Sequence, residues 1–241
     1  MSLPASSMNL NDRLKKVIRL FSAYSFGRIL DIGCGDGEFS MTLKRSCGAT
    51  EVYGLEAFSE RVALARAKGV RVFDVDFNKD PFPFEDGFFD ATFAGEVLEH
   101  VVDPTAFIAE IHRTLKTRGI LVLTTPNLAA IHNRVALLLG YQPFPTWGAG
   151  KLTGGDAWEE VVRPYKVGFA DRDLGHIRVL TLRSLLRLLR DGAFDVLRVE
   201  GASAGVSRNT KLLKLMSGMD RFFSHFPSLS YRTIVVCSKR A

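Results

Sequence analysis

The sequence predicts an α/β protein built on a mostly parallel sheet with helices on both faces. Strand-like and helix-like segments alternate through the first 125 residues, the pattern of parallel strands joined by crossover helices. A glycine-rich turn, Gly33-x-Gly35-x-Gly37, falls where a short apolar strand hands over to a helix. The chain has 241 residues, of which 46% are hydrophobic and 24% charged. That is enough apolar material for one sizeable core, and the balance argues against disorder.

The elements follow in order. Leu14, Val17, Ile18 and Phe21 recur at helical spacing and predict a helix over 10–24. Residues 28–32 read as a short buried strand, 38–47 as a helix, 51–55 as a strand and 59–68 as a helix closed by Gly69. Strands are predicted at 70–74 and, after the turn Glu85-Asp86-Gly87, at 88–94. A helix over 104–115 has Asp103 as N-cap and Pro104 at its first position. Gly119 precedes a fifth strand at 120–125. Beyond it the pattern loosens: a short helical stretch lies within 127–139, and 126–178 is rich in proline, glycine and aromatics. Thr181 caps a helix to 191, 194–200 reads as a strand, 209–223 as an amphipathic helix, and 231–238 as a last strand. The whole reads as one domain over 1–241, with insertions at 126–178 and 201–229 expected to form a substrate lid.

No apolar run reaches the roughly 20 residues that span a bilayer. The start has no basic, then apolar leader, and Cys34, Cys47 and Cys237 are too few and scattered for a disulfide framework or a zinc site. A cytoplasmic protein is expected. Residues 1–120 hold 15 Lys and Arg against 17 Asp and Glu, whereas 121–241 hold 17 against 9. The excess positive charge thus lies in the second half, where it could draw an anionic substrate, a nucleic acid or an acidic membrane surface. No zinc finger or aromatic RNA-binding signature is present, so nucleic acid is not favoured.

Glycines at 33, 35 and 37 remove the Cβ atoms that would keep a ligand from the backbone. Dinucleotide-binding loops do the same, but with Gly-x-Gly-x-x-Gly spacing and a pyrophosphate on the helix N-terminus. Here Asp36 and Glu38 stand at that entry, with Asp31 before the loop. Acids there disfavour a pyrophosphate and suit S-adenosylmethionine (SAM), whose sulfonium and ammonium are cationic. Glu56, at the end of the second strand, is placed to accept from ribose hydroxyls. Asp76 can accept from an adenine amino group while Phe77 packs on the ring.

Residues 29–40, 52–58, 74–90, 96–104 and 113–127 together resemble the class I SAM-dependent methyltransferases, near those of ubiquinone and menaquinone biosynthesis. The resemblance implies a Rossmann-like seven-stranded sheet in the order 3-2-1-4-5-7-6, with strand 7 antiparallel. It also implies a SAM site containing Asp31, Gly33, Cys34, Gly35, Gly37, Glu56, Ala57, Asp76, Phe77 and Glu96, with S-adenosylhomocysteine as product.

Methyl transfer from a sulfonium needs alignment and exclusion of water more than it needs acid–base chemistry. A base helps only where the acceptor must lose a proton, and His100, with Glu96 beside it, is the candidate. The alternative is a histidine that holds the loop. Glu96, Glu99 and His100 also match a Glu-x-x-Glu-His pattern that holds a divalent ion in some quinone O-methyltransferases and small-RNA 3′-end methyltransferases. The same string is common in relatives without metal, so no metal is expected. Tyr141, Phe144, Trp147, Trp158 and Tyr165 could line an acceptor pocket or fill the insertion's own core. Arg178 could hold an anionic group of the acceptor. The expected acceptor is a small molecule, lipophilic or anionic, methylated on oxygen or carbon. RNA or protein acceptors, and a non-catalytic SAM-binding module, are the alternatives. The basic amphipathic segment 208–226 could touch a membrane surface or form a homodimer contact.

Overall fold

The computed structural model describes residues 10–143, 176–205 and 211–241. Its strands are β1 (Arg28–Ile32), β2 (Glu51–Glu56), β3 (Arg71–Asp74), β4 (Phe89–Gly95), β5 (Leu115–Pro126), β6 (Phe194–Ala202) and β7 (Arg232–Lys239). They form a single sheet in the order β3-β2-β1-β4-β5-β7-β6. The first five run parallel, and β7 is antiparallel to both β5 and β6. The order and the hand of β7 are those expected.

The helices are α1 (Asp12–Phe21), α2 (Glu38–Ser46), α3 (Ser59–Ala67), α4 (Pro104–Thr114), α5 (Ile131–Leu138), α6 (Leu182–Asp191) and α7 (Lys211–Phe223). Alternation along the strands sorts the core into two layers. Leu30, Ile32, Leu55, Leu121 and Val235 pack on one face beneath Phe107, Ile108 and Ile111 of α4 and Leu185 and Leu189 of α6. Ile29, Val52, Val122, Ile234 and Val236 pack on the other beneath Val17 and Phe21 of α1, Leu43 of α2 and Val62 and Ala65 of α3. The caps follow the sequence: Asp103 accepts from the N–H groups of Thr105 and Ala106, and Thr181 accepts from that of Ser184.

β5 begins five residues before the expected start. Leu115 pairs with Phe89, and the ladder then shifts register before Ala91 meets Ile120. Arg118 takes a left-handed conformation (φ 62°) inside this irregularity. A Cβ on Gly119 would lie 2.8 Å from the carbonyl oxygen of Lys116. Gly119 is therefore part of a bulge within the strand and not the turn before it. The C-terminal ends of the parallel strands share one edge of the sheet. The register of β7, with Arg232 opposite Pro126, brings the start of that strand to the same edge.

Candidate active site

After β1 the chain turns through Gly33, Gly35 and Gly37, all left-handed (φ 70°, 56° and 78°). The N–H groups of Gly33 and Cys34 donate to the carbonyl of Leu55 at 2.8 and 3.1 Å, which ties the loop to β2. A Cβ on Gly33 would lie 2.6 Å from Cγ2 of Val97, so only glycine fits between this turn and the loop after β4. Gly37 serves a different end: a Cβ there would lie 2.9 Å from both Ala65 and Val70, and its bareness lets α2 pack on α3. Asp36 pairs with Lys68, so part of the negative charge expected at the helix entry is neutralised locally.

A cavity of about 270 Å³ opens at the C-terminal ends of β1 to β4, the usual ligand position in an open α/β sheet. Gly33 lines it from β1, and Glu56, Ala57 and Phe58 from β2. Arg61 of α3 and Asp76, Phe77 and Asn78 after β3 add further wall, and Gly95, Glu96, Val97 and His100 close it after β4. Six of the ten residues expected at the cofactor thus face one cavity. Asp31, Cys34, Gly35 and Gly37 lie outside its lining. The Asp31 carboxylate accepts from the Ser40 hydroxyl at 2.6 Å. The Cys34 sulfur lies against Gly54, and burial pushes its thiol pKa well up. Gly35 spends its N–H on Glu56 at 2.8 Å.

Glu56 is held by three backbone donors, the N–H groups of Gly35, Ala57 and Phe58. A carboxylate offers about four lone-pair sites, so one acceptor position remains for a ligand. Asp76 accepts from Lys79 at 2.8 Å and from the N–H of Asn78, and these bonds hold its carboxyl below the usual range. Phe77 stacks edge-on against Phe82 and Phe107. Asn78 accepts from the N–H of Val102 at 2.7 Å, joining the loop after β3 to the turn after β4.

The loop after β4 carries the densest charge. Glu96 sits at φ 58°, a conformation that side-chain-bearing residues rarely adopt. Its carboxylate accepts from Arg232 at 2.6 Å and from Thr124 at 3.2 Å, and its N–H donates to the carbonyl of Thr124. Burial alone would raise its pKa; Arg232 and Arg13 outweigh that and hold it low. Glu99, 1% exposed, has the opposite fate: burial and the neighbouring charge of Glu96 push it up to about 8. Asp31 is likewise pushed up to about 7, chiefly by burial.

The Glu-x-x-Glu-His residues do not converge as one group. Glu96 is turned to Arg232, whereas Glu99 and His100 converge with His176, each offering a ligand atom within 4.8 Å of the others. The rings of His100 and His176 meet edge-on at 5.0 Å, and Nδ1 of His100 and Oε1 of Glu99 are buried without a hydrogen-bond partner. These three residues are the described group that could hold a cation. Reading the sequence missed His176, Arg232 and Arg13. Arg13, on α1, donates from Nη1 to Thr124 at 2.9 Å; the same Nη1 lies beside Gly95, and Nε is buried without a partner. A lone arginine on the polar side of an amphipathic helix gives no sign of this. Of the aromatics considered for the acceptor, Phe144, Trp147, Trp158 and Tyr165 lie outside the described residues.

A Rossmann-like sheet with this order, an antiparallel seventh strand and a cavity facing acids after β2 and β3 defines the class I methyltransferase fold. The methyltransferase-domain family profile matches residues 8–199, and the chain belongs to that family, whose cofactor is SAM. A ubiquinone biosynthesis O-methyltransferase from Xanthomonas oryzae pv. oryzae is 40% identical over 105 residues. That stretch is 42% of this chain and 43% of the relative, so the match spans under half of the relative's length. Among solved structures, a SAM-dependent methyltransferase from Mesorhizobium loti matches with a TM-score of 0.61 at 18% identity, covering 93% of this chain and 96% of its own. A chain from the complex between the Haloferax volcanii Trm112 methyltransferase activator and its methyltransferase gives 0.64 at 16%, with coverage of 95% and 92%. Both share the fold.

Proposed function

We propose that this protein transfers the methyl group of SAM to an oxygen or carbon of a small-molecule acceptor. The observation that carries this is the polarity of this cavity. Glu56, Asp76 and Phe77 stand at one end and the Glu96–Val97–His100 turn at the other, with Gly33 between. An adenosine group is recognised at the first end: the free acceptor position of Glu56 takes a ribose hydroxyl, and Asp76 the adenine amine. The methionine end then runs over Gly33 towards Glu96 and Arg13. The Arg13 guanidinium, whose Nη1 lies beside the cavity residue Gly95, suits the ligand's carboxylate. The sulfonium methyl is directed towards His100.

His100, which lines the cavity, acts as the base when the acceptor is a hydroxyl. A small-molecule acceptor is supported by the name of the matched relative, an O-methyltransferase of ubiquinone biosynthesis. Of the segments expected to form a lid, residues 144–175 and 206–210 lie outside the described residues. Labelled-SAM transfer against lysate split into metabolite, lipid, RNA and protein pools tests the reading. Label in the metabolite or lipid pool, lost in His100→Gln with product binding kept, is the expected result. Label confined to RNA, where the basic second half would act, or to protein would overturn the acceptor class. Binding of SAM with no transfer to any pool would make the chain a cofactor-binding module.

A further inference from the structure

We infer that α5 and the end of α7 form a docking surface for an anionic lipid bilayer, placed so that a lipophilic acceptor reaches the cavity from the membrane. This deepens the proposed function and rests on it for the identity of the cargo. Among the described residues, large apolar side chains exposed by half or more concentrate here. Leu137, Leu138 and Leu139 are 58%, 85% and 60% exposed, and Met219 and Phe222 are 51% and 59% exposed. Phe226, 47% exposed, follows in the turn after α7 and packs at a tilt against Phe222. Scattered apolar exposure is ordinary, but three consecutive exposed leucines on one element and two exposed phenylalanines at the end of another are not.

The two strips belong to one region of the molecule. The N–H of Ile131, at the start of α5, donates to the carbonyl of Leu229. Asn127 donates to the carbonyls of Ser228 and Ser230. The turn after α7 is thus clamped to the base of α5. Both elements leave the sheet edge that carries the cavity, since α5 follows Pro126 and the turn runs into Arg232, its partner in register.

Charge selects the occupant. Residues 127–143 contain no acid, and residues 211–226 contain Lys211, Lys214 and Arg221 against one, Asp220. That acid turns inward, accepting from the N–H of Ala204 at 2.9 Å. Arg134 and Arg221 are exposed beside the apolar strips. Protruding leucine and phenylalanine flanked by cations match an interface of acyl chains beneath phosphate headgroups. The described helices are too short and polar to cross a bilayer, so contact would be peripheral.

Co-sedimentation of the full chain with vesicles tests this, comparing neutral phosphatidylcholine with the same lipid carrying about 30% phosphatidylglycerol. Binding to the anionic vesicles is expected to exceed that to neutral ones by about tenfold and to fall several-fold between low and high salt. The double variant Leu138→Glu/Phe222→Glu, changed at exposed positions only, should lose about tenfold or more, with far-UV circular dichroism and SAM binding by calorimetry unchanged. Equal binding of variant and wild type, or no binding of the wild type to anionic vesicles, overturns the inference. So does a wild-type dimer in light scattering that the double variant dissociates, because the face would then be a contact between copies. Vesicle binding without SAM binding would instead refute the proposed function and leave this surface standing.

Discussion

Replacing Asp31 with asparagine isolates the cost of ionising a carboxyl beneath the glycine loop. Asp31 is 3% exposed, bonded to Ser40, and pushed up to about 7 by burial, with the nearby Glu56 carboxylate adding to the rise. An unfolded aspartate ionises near 3.9, so the folded protein holds a proton that the unfolded chain releases between about pH 4 and 7. Stability contributed by this group is present at the acid end of that window and is lost as the pH rises through it. At about 1.4 kcal/mol per pH unit, the span from 3.8 to about 7 sets a ceiling near 4 kcal/mol. Asparagine keeps an acceptor for Ser40 and removes the ionisation.

The measurement is urea unfolding of wild type and Asp31→Asn at intervals from pH 4.5 to 7.5. The variant should gain on the wild type as pH rises, by about 2–4 kcal/mol across the range. Parallel curves would mean that Asp31 ionises as freely in the folded protein as in the unfolded one. A cationic ligand placed near Asp31 should also lower its pKa, so SAM binding near pH 7 is expected to release a fraction of a proton. Calorimetry in buffers of different ionisation enthalpy reads that release directly.

Gly33→Ala places a Cβ 2.6 Å from Val97 at a left-handed φ, and should cost about 2 kcal/mol of stability and at least tenfold in SAM affinity by calorimetry. Arg13→Lys keeps the charge but loses the planar fork; SAM affinity should fall about tenfold, while decarboxylated SAM binds both proteins alike. Chelation with EDTA should leave labelled-methyl transfer unchanged. A loss restored by a divalent ion, and absent from His176→Ala, would assign the ion to Glu99, His100 and His176. Glu96→Gln and Arg232→Gln should each destabilise by about 1–3 kcal/mol in urea, because each leaves a partly buried charge uncompensated. The double variant should cost clearly less than their sum; simple additivity would show that the pair is not coupled.

Local pattern was enough for most of the sheet. The apolar run 28–32 became β1 at those bounds, and Asp103-Pro104 and Thr181 started α4 and α6 where capping chemistry places them. It failed at 115–119, because a bulge that carries a strand through Arg118 and Gly119 is spelled with the same residues as a turn. In the cavity, Gly33, Glu56, Asp76 and Phe77 were legible because each ends or closely follows a strand, and parallel strand ends must share an edge. Gly37 was legible as bare but not as packing on α3, since that depends on how α2 and α3 cross. His176 meets His100 from 76 residues away and Arg232 meets Glu96 from 136 away. Neither distance leaves a trace in local spacing.

The Glu96–Arg232 pair shows why the fold's one antiparallel strand matters to the site. Glu96 occupies a left-handed conformation that costs about 1–3 kcal/mol and persists only where its surroundings over-determine it. Two of the constraints come from β5, through the carbonyl and hydroxyl of Thr124, and one from β7, through Arg232. β7 can supply that arginine only because it enters the sheet running against β5, so that its first residue and the last of β5 meet at the ligand edge. A parallel strand in this position would bring its C-terminal end there, and Arg232 would lie at the far edge. The reversal of one strand thus places a cation behind the loop after β4, where it holds Glu96 ionised and leaves the neighbouring Glu99 to keep its proton.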